Sequence, residues 1–296
     1  MLARLQRLLC LVLALLSLAW LVGWWAWSPW LALAGLALPA LGYGVLLGCE
    51  FLLLMRQADA LAPRPTAWHL FAAWWVELRS GMQVFFWRQP FCEQAEPDHL
   101  PPGAQRRGVV FVHGLFCNRA FWAPWMRRAR ALGIPHVAVS LEPVIGSIDA
   151  YVPAIEAAVA KITAATGERP VLVCHSMGGL AARAWLRMPG AASRVARVVT
   201  ISSPHGGTWM ARLGHGESAR QMALGSHWLE RLARDEAAGA AVPFTCWYSN
   251  CDNVVFPVGT ATRAGADNRF VPGRAHVALA FDEHVVRHTL QGVPGA

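Results

Sequence analysis

The longest apolar run of the chain lies near its start. Residues 8–49 contain no charged side chain over 42 positions. At ~1.5 Å per residue, a helix of this length is roughly twice the ~30 Å hydrocarbon core of a bilayer, so the run must fold back on itself. Pro29 breaks the pattern between Trp27 and Trp30, and tryptophan is typical of a membrane interface. The pattern predicts two transmembrane helices, over residues 8–27 and 31–54, within a hairpin formed by residues 1–60.

Aromatic residues dominate the following segment, residues 61–106. Nine of the fifteen tryptophans precede residue 100, and this bias favours an interfacial helix that lies at the lipid boundary. Ordinary packing of the same helix against the rest of the protein explains the pattern equally well. Residues 98–108 are polar and marked by proline and glycine, which is typical of a linker.

From residue 107 onwards, short apolar runs alternate with stretches of helical periodicity. Strands are predicted at residues 109–113, 136–141, 170–175, 196–202 and 244–249, and helices at residues 120–131, 150–165, 177–188, 226–238 and 282–290. Continuous apolar strands separated by helices indicate a mostly parallel sheet with helices on both faces. We therefore predict an α/β domain over residues 107–296, preceded by two transmembrane helices.

The net charge of +8 comes almost entirely from arginine, because Lys161 is the only lysine. No basic cluster with interleaved aromatics is present in the sequence, so we expect no nucleic-acid partner. Arg4 and Arg7 precede the apolar run, Arg56 and Arg64 follow it, and the connecting turn is uncharged. The positive-inside rule then predicts that both ends of the hairpin, and the remainder of the protein, face the cytoplasm.

A cleaved signal peptide is the alternative interpretation of the first residues. It would use Arg4 and Arg7 as its basic region, but it leaves residues 31–54 unexplained and places Pro29 at the cleavage point. Loss of the first 28 or so residues from the mature protein would decide in its favour. The seven cysteines form no even, regularly spaced framework, which agrees with a cytoplasmic domain. A disulfide between Cys246 and Cys251 would contradict this topology.

The strongest chemical signal is a strand that ends in a sharp turn with Ser176 at its apex. The run is Pro170-Val-Leu-Val-Cys-His-Ser-Met-Gly-Gly179, and a helical pattern follows it. A serine hydroxyl is a poor nucleophile without a base, and a tight turn exposes its oxygen both to that base and to substrate. Gly178 provides the small residue expected two places after the serine, whereas Cys174 occupies the position of the usual preceding glycine. The sequence predicts Ser176 as a nucleophile.

Two later loops offer partners for Ser176. Asp252 follows the strand predicted at residues 244–249, and His276 is predicted in a loop before the final helix. The chain order Ser176, Asp252, His276 suits a triad in which the nucleophile follows a central strand. His276 would take the serine proton and return it to the leaving group, while Asp252 would fix the imidazole tautomer.

Other histidines and aspartates compete for these roles. His175 adjoins the nucleophile and must point to the opposite side of the turn, which suits support of the turn. His205 ends a strand and is expected to shape an acyl pocket, and His284 lies on a predicted helix. Asp235 precedes a strand, and Asp267 lies in a predicted turn, so neither occupies a strand end.

Five motifs together resemble the α/β-hydrolase superfamily, and within it bacterial triacylglycerol lipases and related esterases. The motifs are Phe111-Val-His-Gly-Leu115, Cys174-His-Ser-Met-Gly-Gly179, Ser203-Pro-His-Gly-Gly-Thr208, Asp252 before Val-Val-Phe-Pro257, and His276. The resemblance covers about residues 107–290 and implies the α/β-hydrolase fold. It assigns Ser176, Asp252 and His276 as catalytic residues, and the backbone N–H groups of Leu115 and Met177 as the oxyanion hole. Phe116 and His205 are expected to bind substrate.

The predicted function is a membrane-anchored serine hydrolase that cleaves carboxylic esters through an acyl-enzyme. We expect a lipid or other acyl-ester substrate, no cofactor and no metal, and a location in a bacterial inner (cytoplasmic) membrane. Residues 204–228 are a candidate cap over the pocket, or a mobile loop without a gating role. An acyltransferase or thioesterase with the same triad is an alternative, as is an inert lipid-binding scaffold.

Overall fold

A six-stranded sheet forms the centre of the molecule. The computed structural model describes residues 1–57, 59, 61–237 and 241–293. The strands are β1 Val109–Val112, β2 His136–Ala138, β3 Val171–His175, β4 Arg197–Ile201, β5 Phe244–Tyr248 and β6 Asp267–Phe270. Their spatial order is β2-β1-β3-β4-β5-β6, and every neighbouring pair is parallel. The α/β prediction is confirmed.

Helices precede the sheet and then alternate with its strands. They are α1 Leu2–Trp25, α2 Pro29–Ala34, α3 Leu38–Met55, α4 Ala67–Gln83, α5 Gln89–Phe91, α6 Ala123–Ala131, α7 Val152–Thr166, α8 Met177–Leu186, α9 Glu217–Met222, α10 His227–Ala237, α11 His276–Ala280 and α12 Glu283–Gln291. Five of them correspond to the helices predicted in the α/β region. Ala238, the predicted end of one of these, lies outside the described residues.

Side chains of the central strands alternate between two buried clusters, as the pleat of a strand requires. Val110 and Leu172 face a cluster that includes residues of α7, α8 and α10. Phe111 and Val173 face a second cluster with residues of α6, α11 and α12. Both faces are therefore covered, which explains why the strands carry continuous apolar runs.

Two elements differ from the sequence prediction near the candidate site. Asp267 begins β6, so its predicted placement in a turn is wrong. β6 is an edge strand whose first two residues are exposed, and it lacks the apolar run that marks a buried strand. His276 is the first residue of the short helix α11, so its predicted placement in a loop is also wrong.

The N-terminal region contains two helical segments that are long and apolar enough to cross a membrane. They are Leu2–Trp25, with a mean hydropathy of 2.3, and Pro29–Met55, with 1.9. Length and composition are the only basis for this, and a signal sequence meets the same criteria. Ser28 separates the segments and caps α2, since its Oγ accepts a hydrogen bond from the Leu31 N–H at 3.4 Å.

Helix α4 joins this region to the sheet domain. Its buried residues Ala73, Glu77 and Gly81 are spaced four apart and form one face. This face packs against α3 and α11, whereas Trp68 and Phe71 are exposed. The structure thus shows that this aromatic helix packs against other helices of the protein. Its contact with lipid stays a prediction.

Candidate active site

Ser176 lies in a strained turn between β3 and α8, at the carboxyl edge of the sheet. Its φ and ψ angles are 54° and −130°, in a region that residues with a side chain rarely occupy. A Cβ on Gly178 would lie 2.5 Å from the Val112 carbonyl oxygen, and a Cβ on Gly179 would lie 2.3 Å from Ser203 Oγ. The two glycines therefore allow α8 to approach the neighbouring strands closely. This strand–turn–helix geometry exposes a serine nucleophile in hydrolases.

Cys174 replaces a small residue without disturbing this turn. It pairs in register with Val112 on one side and Thr200 on the other, and its side chain is fully buried in the apolar cluster beside α8. Burial raises the pKa of the Cys174 thiol, so the thiol stays protonated and unreactive. A packing role explains the residue.

The structure brings Ser176, His276 and Asp252 together. Ser176 Oγ lies 3.0 Å from His276 Nε2, and His276 Nδ1 lies 3.0 Å from Asp252 Oδ1. Asp252 Oδ1 also accepts hydrogen bonds from the N–H groups of Val254 at 3.0 Å and Val255 at 2.8 Å. These contacts fix the carboxylate on the side of the imidazole opposite the serine. The arrangement has the connectivity that base-assisted attack by serine requires.

The charges around this group favour a protonated imidazole. Burial alone would raise the pKa of Asp252, but the charge of His276 and its hydrogen bond outweigh burial and hold that pKa below its ordinary value. Burial likewise opposes protonation of His276, yet the carboxylates of Asp252, Glu77 and Glu50 raise its pKa overall. An imidazolium formed by proton transfer from Ser176 is thereby stabilised.

The loop after β1 lies directly against the serine. A Cβ on Gly114 would come within 2.7 Å of Ser176 Cβ, so only glycine permits this approach. His113 holds the loop: its Nδ1–H donates to the Gly114 carbonyl at 2.9 Å, and its Nε2 accepts from the Leu141 N–H at 3.0 Å. Burial lowers the pKa of His113 to about 4, so this bridging ring is neutral.

The two candidate oxyanion donors lie next to these residues. Leu115 follows Gly114, and Met177 follows Ser176 at the start of α8. Within the described part of the chain, neither backbone N–H has a hydrogen-bond partner. Both amides are therefore available to a ligand, and their role in holding an oxyanion is taken up below as a proposal.

The other predicted substrate-binding residues have different environments. Phe116 adopts a positive φ of 55° and is 51% exposed, which leaves its ring accessible at the carboxyl edge. His205 is buried: its Nε2 lies 2.9 Å from Thr200 Oγ1, and its carbonyl accepts from Arg183 Nη1 at 2.9 Å. These contacts give His205 a supporting function inside the domain, and its contact with substrate stays a prediction.

His175 supports the site from behind the nucleophile. Its buried ring stacks on Phe121 with centroids 4.6 Å apart, and its Nε2 lies 3.1 Å from the backbone carbonyl of His276. Burial lowers the pKa of His175 well below its ordinary value, so the neutral ring donates this hydrogen bond through Nε2–H. The placement matches the role expected from its position beside Ser176.

Two carboxylates that sequence reasoning did not assign to the site also reach it. Glu77 accepts from the N–H groups of Val277 and Ala278, each at 2.9 Å. Glu50 of α3 accepts a hydrogen bond from Asn253 Nδ2. Glu77 was detectable in the sequence as a lone acidic residue within an aromatic helix.

The described residues contain no group of three or more histidine, cysteine or acidic side chains able to hold a metal ion. All seven cysteines fall within these residues and are free thiols, including Cys246 and Cys251.

Comparison with known proteins agrees with this fold. A model described as the alpha/beta hydrolase family matches residues 109–291, while no curated protein matches the chain. Among solved structures, a Bacillus licheniformis lipase, BlEst2 in its mature form, is similar with a TM-score of 0.56 and 17% identity, over 66% of this chain and 96% of that one. Aspergillus fumigatus lipase B is similar with a TM-score of 0.51 and 19% identity, over 60% of this chain and 48% of the lipase. At these identities the likeness shows a shared fold.

Proposed function

Because the chain belongs to the alpha/beta hydrolase family, we propose that it is a membrane-anchored carboxylic-ester hydrolase of the lipase or esterase type. The observation that carries the proposal is the pair of 3.0 Å contacts linking Ser176 Oγ to His276 Nε2 and His276 Nδ1 to Asp252 Oδ1. Structural similarity to two lipases supports the same class of substrate.

In the proposed acylation, Ser176 Oγ attacks the ester carbonyl carbon while His276 Nε2 accepts the hydroxyl proton. The carbonyl oxygen becomes an oxyanion, which the N–H groups of Leu115 and Met177 stabilise. Loss of one such donor typically costs about 100- to 1,000-fold in rate. When the C–O bond to the alcohol breaks, His276 returns the proton to the departing oxygen.

Deacylation repeats these steps with water. His276 removes a proton from water, the resulting hydroxide attacks the acyl carbon, and the bond to Ser176 Oγ breaks. The proton then returns to the serine, and the carboxylic acid leaves. Asp252 keeps the Nδ1–H tautomer in place and compensates the imidazolium charge in both halves of the cycle.

Exposed apolar side chains in loops that follow the strands support an apolar acyl group in the substrate. Three large apolar side chains at the carboxyl edge are exposed, namely Phe116 at 51%, Ile145 at 59% and Leu213 at 55%. They follow β1, β2 and β4, respectively. Exposed apolar residues in these loops favour a lipid-like ligand.

Membrane anchoring through residues 1–57 is part of the proposal. Both ends of the apolar hairpin contact the catalytic domain: the Met1 amine pairs with Glu142 after β2, and Leu54 of α3 shares a cluster with Phe256. The hairpin would thus hold the carboxyl edge of the sheet near the bilayer. The arginines on either side of the hairpin support an orientation with the domain on the cytoplasmic face of a bacterial inner membrane. Protease added outside spheroplasts should leave the domain intact, and its degradation would contradict this orientation.

A fluorophosphonate probe tests the proposed chemistry on the full chain in detergent micelles. The wild-type protein should be labelled, Ser176→Ala should not be, and labelling of His276→Ala should be strongly reduced. Ser193→Ala, at an exposed serine, is the control and should label like the wild type. A folded wild-type protein that neither labels nor hydrolyses esters would support the inert scaffold instead. Hydrolysis of p-nitrophenyl esters of increasing chain length then defines the acyl preference.

A further inference from the structure

Four backbone N–H and C=O groups at and after His276 form hydrogen bonds to other side chains. The His276 N–H donates to Asn253 Oδ1 at 3.1 Å, and its carbonyl accepts from His175 Nε2 at 3.1 Å. The next two N–H groups, those of Val277 and Ala278, donate to the two carboxylate oxygens of Glu77 at 2.9 Å each. These hydrogen bonds restrict the backbone conformation of the segment that carries the His276 imidazole.

Two of these four contacts come from a helix that precedes the sheet domain. Glu77 belongs to α4, lies 200 residues before Val277, and precedes the region matched by the hydrolase family model, residues 109–291. Asn253 is itself held by Glu50 of α3, which also precedes that region. Helix α4 therefore contributes to the site as well as connecting two regions.

We propose that Glu77 is a positioning residue for His276, so that the N-terminal helices complete the active site of the hydrolase domain. The inference rests on the proposed function, because it assigns Glu77 a role only if His276 is the catalytic base. It goes beyond that function because it places a residue that positions the catalytic base outside residues 109–291, the region matched by the family model.

The chemistry of Glu77 suits this role. Its side chain is 2% exposed, and no lysine or arginine among the described residues pairs with it. A buried carboxylate needs compensation, and here the compensation consists of two N–H donors and the charge of protonated His276. The interaction is stronger when His276 carries its proton, which is the state formed during serine attack.

Several titratable groups face this pair, and their titrations are coupled. Asp252 and Glu50 add negative charge near His276, and the neutral His175 ring lies 4.7 Å from the His276 ring. The Tyr43 hydroxyl of α3 lies against Gly81, one helical turn after Glu77. Burial raises the pKa of Glu77 to about 7, despite the opposing effects of the Val277 N–H and His276. The backbone N–H donors and the imidazolium favour its ionised form.

The test is Glu77→Gln in the full chain, with kcat, KM and the pH dependence of kcat/KM measured on a soluble p-nitrophenyl ester. The amide keeps the shape of the side chain, but one of its two ends donates and cannot accept from a backbone N–H. Displacement of a catalytic group by about 1 Å can cost on the order of 100-fold, so we expect kcat to fall by roughly 10- to 100-fold with little change in KM.

The pH profile distinguishes a positioning role of Glu77 from a purely structural role. Neutral His276 is the active base, so kcat/KM falls as the pH drops through the His276 pKa. Because the Glu77 charge raises that pKa, its removal should move the acidic limb to lower pH. Asn253→Ala removes a neutral contact to the His276 N–H and a hydrogen bond to Glu50 but keeps the Glu77 carboxylate, so kcat should fall with a smaller movement of the limb than in Glu77→Gln. Glu93→Gln, in the same N-terminal region but without an ion pair among the described residues, should match the wild type in both respects.

Each outcome decides the proposal. Wild-type kcat and an unmoved limb in folded Glu77→Gln would overturn it, as would an equal movement in Asn253→Ala. If Glu77→Gln does not fold, Glu77→Asp decides instead. Its shortened carboxylate cannot reach both N–H groups, so kcat should fall about tenfold, and an unchanged kcat would overturn the proposal. Wild-type labelling that depends on Ser176 shows that the proposed function holds even where this inference fails.

Discussion

Ser176 and His276 meet at 3.0 Å, yet different parts of the chain hold them. Ser176 is fixed by its own turn, by the adjacent helix α8 and by glycines that contact neighbouring strands. His276 lies in the five-residue helix α11, and Glu77 and the Glu50–Asn253 pair fix the backbone of that helix. The nucleophile therefore depends on a short local motif, whereas the base depends on contacts formed only when distant segments pack together.

The largest effect on this comparison should come from Asp252→Asn. The amide would present a donor to His276 Nδ1 and favour the tautomer with its proton on Nε2, which cannot accept the serine proton. We expect kcat to fall by about 1,000- to 10,000-fold, beyond the loss expected for Glu77→Gln.

Asp235→Asn is the matched control for this substitution. Asp235 forms a half-exposed ion pair with Arg187 at 2.9 Å, and exposed pairs contribute little to stability. Its kcat should stay close to the wild-type value. A loss in Asp252→Asn no greater than in Glu77→Gln would show that the carboxylate at Nδ1 is not the principal partner of the base.

Gly114→Ala tests the nucleophile side and should have the next largest effect. The added methyl would lie 2.7 Å from Ser176 Cβ and 3.3 Å from its Oγ, so the loop or the serine must move. Displacement of the serine or of the adjacent oxyanion donors should lower kcat about 100-fold. Stopped-flow acylation and fluorophosphonate labelling rates measure this loss.

Gly48→Ala is the control for that substitution, because a Cβ at Gly48 meets no atom within 4 Å. It should label and hydrolyse at the wild-type rate. Normal acylation by Gly114→Ala would mean that the loop after β1 has room to adjust, and that the nucleophile side is less tightly constrained than the structure indicates.

Cys174→Gly should have the smallest effect on activity. The substitution restores the usual residue of the turn but removes a buried thiol and adds backbone freedom in a strand. We expect the free energy of unfolding to fall by about 1–2 kcal/mol, while kcat stays within about threefold of wild type. Chemical denaturation and ester hydrolysis measure the two quantities. Cys174→Ala should lose less stability, and a large drop in kcat for either variant would show that the thiol has a part in the chemistry.

The same contrast explains what could be predicted from the sequence. The strand before Ser176, the turn and the helix after it all lie within residues 171–186, so the apolar run and the glycines predict them directly. Asp252 and His276 could be proposed from chain order and motif resemblance, and the structure places His276 beside Ser176 and Asp252 beside His276. The roles of all three residues stay predictions until the variants are measured.

The features missed from the sequence depend on contacts remote in the chain. The edge strand β6 begins with Asp267 and Asn268, and these two residue types are typical of turns. α11 is too short to show a helical period, and it is stabilised by Glu77 from 200 residues away. Aromatic residues around Glu77 indicated a helix near lipid, but no periodicity could show which carboxylate points inward. Only the packed structure identifies the partners of such a residue.

The hydrogen bonds of Glu77 have a practical consequence for any attempt to obtain a soluble catalyst by deleting the apolar N-terminal helices. A cut placed just ahead of β1 respects the family boundary but discards Glu77, which leaves the amide hydrogens of Val277 and Ala278 without their acceptor. A shortened protein that keeps α4, with only the exposed residues Trp68 and Phe71 replaced by polar residues, should retain these hydrogen bonds.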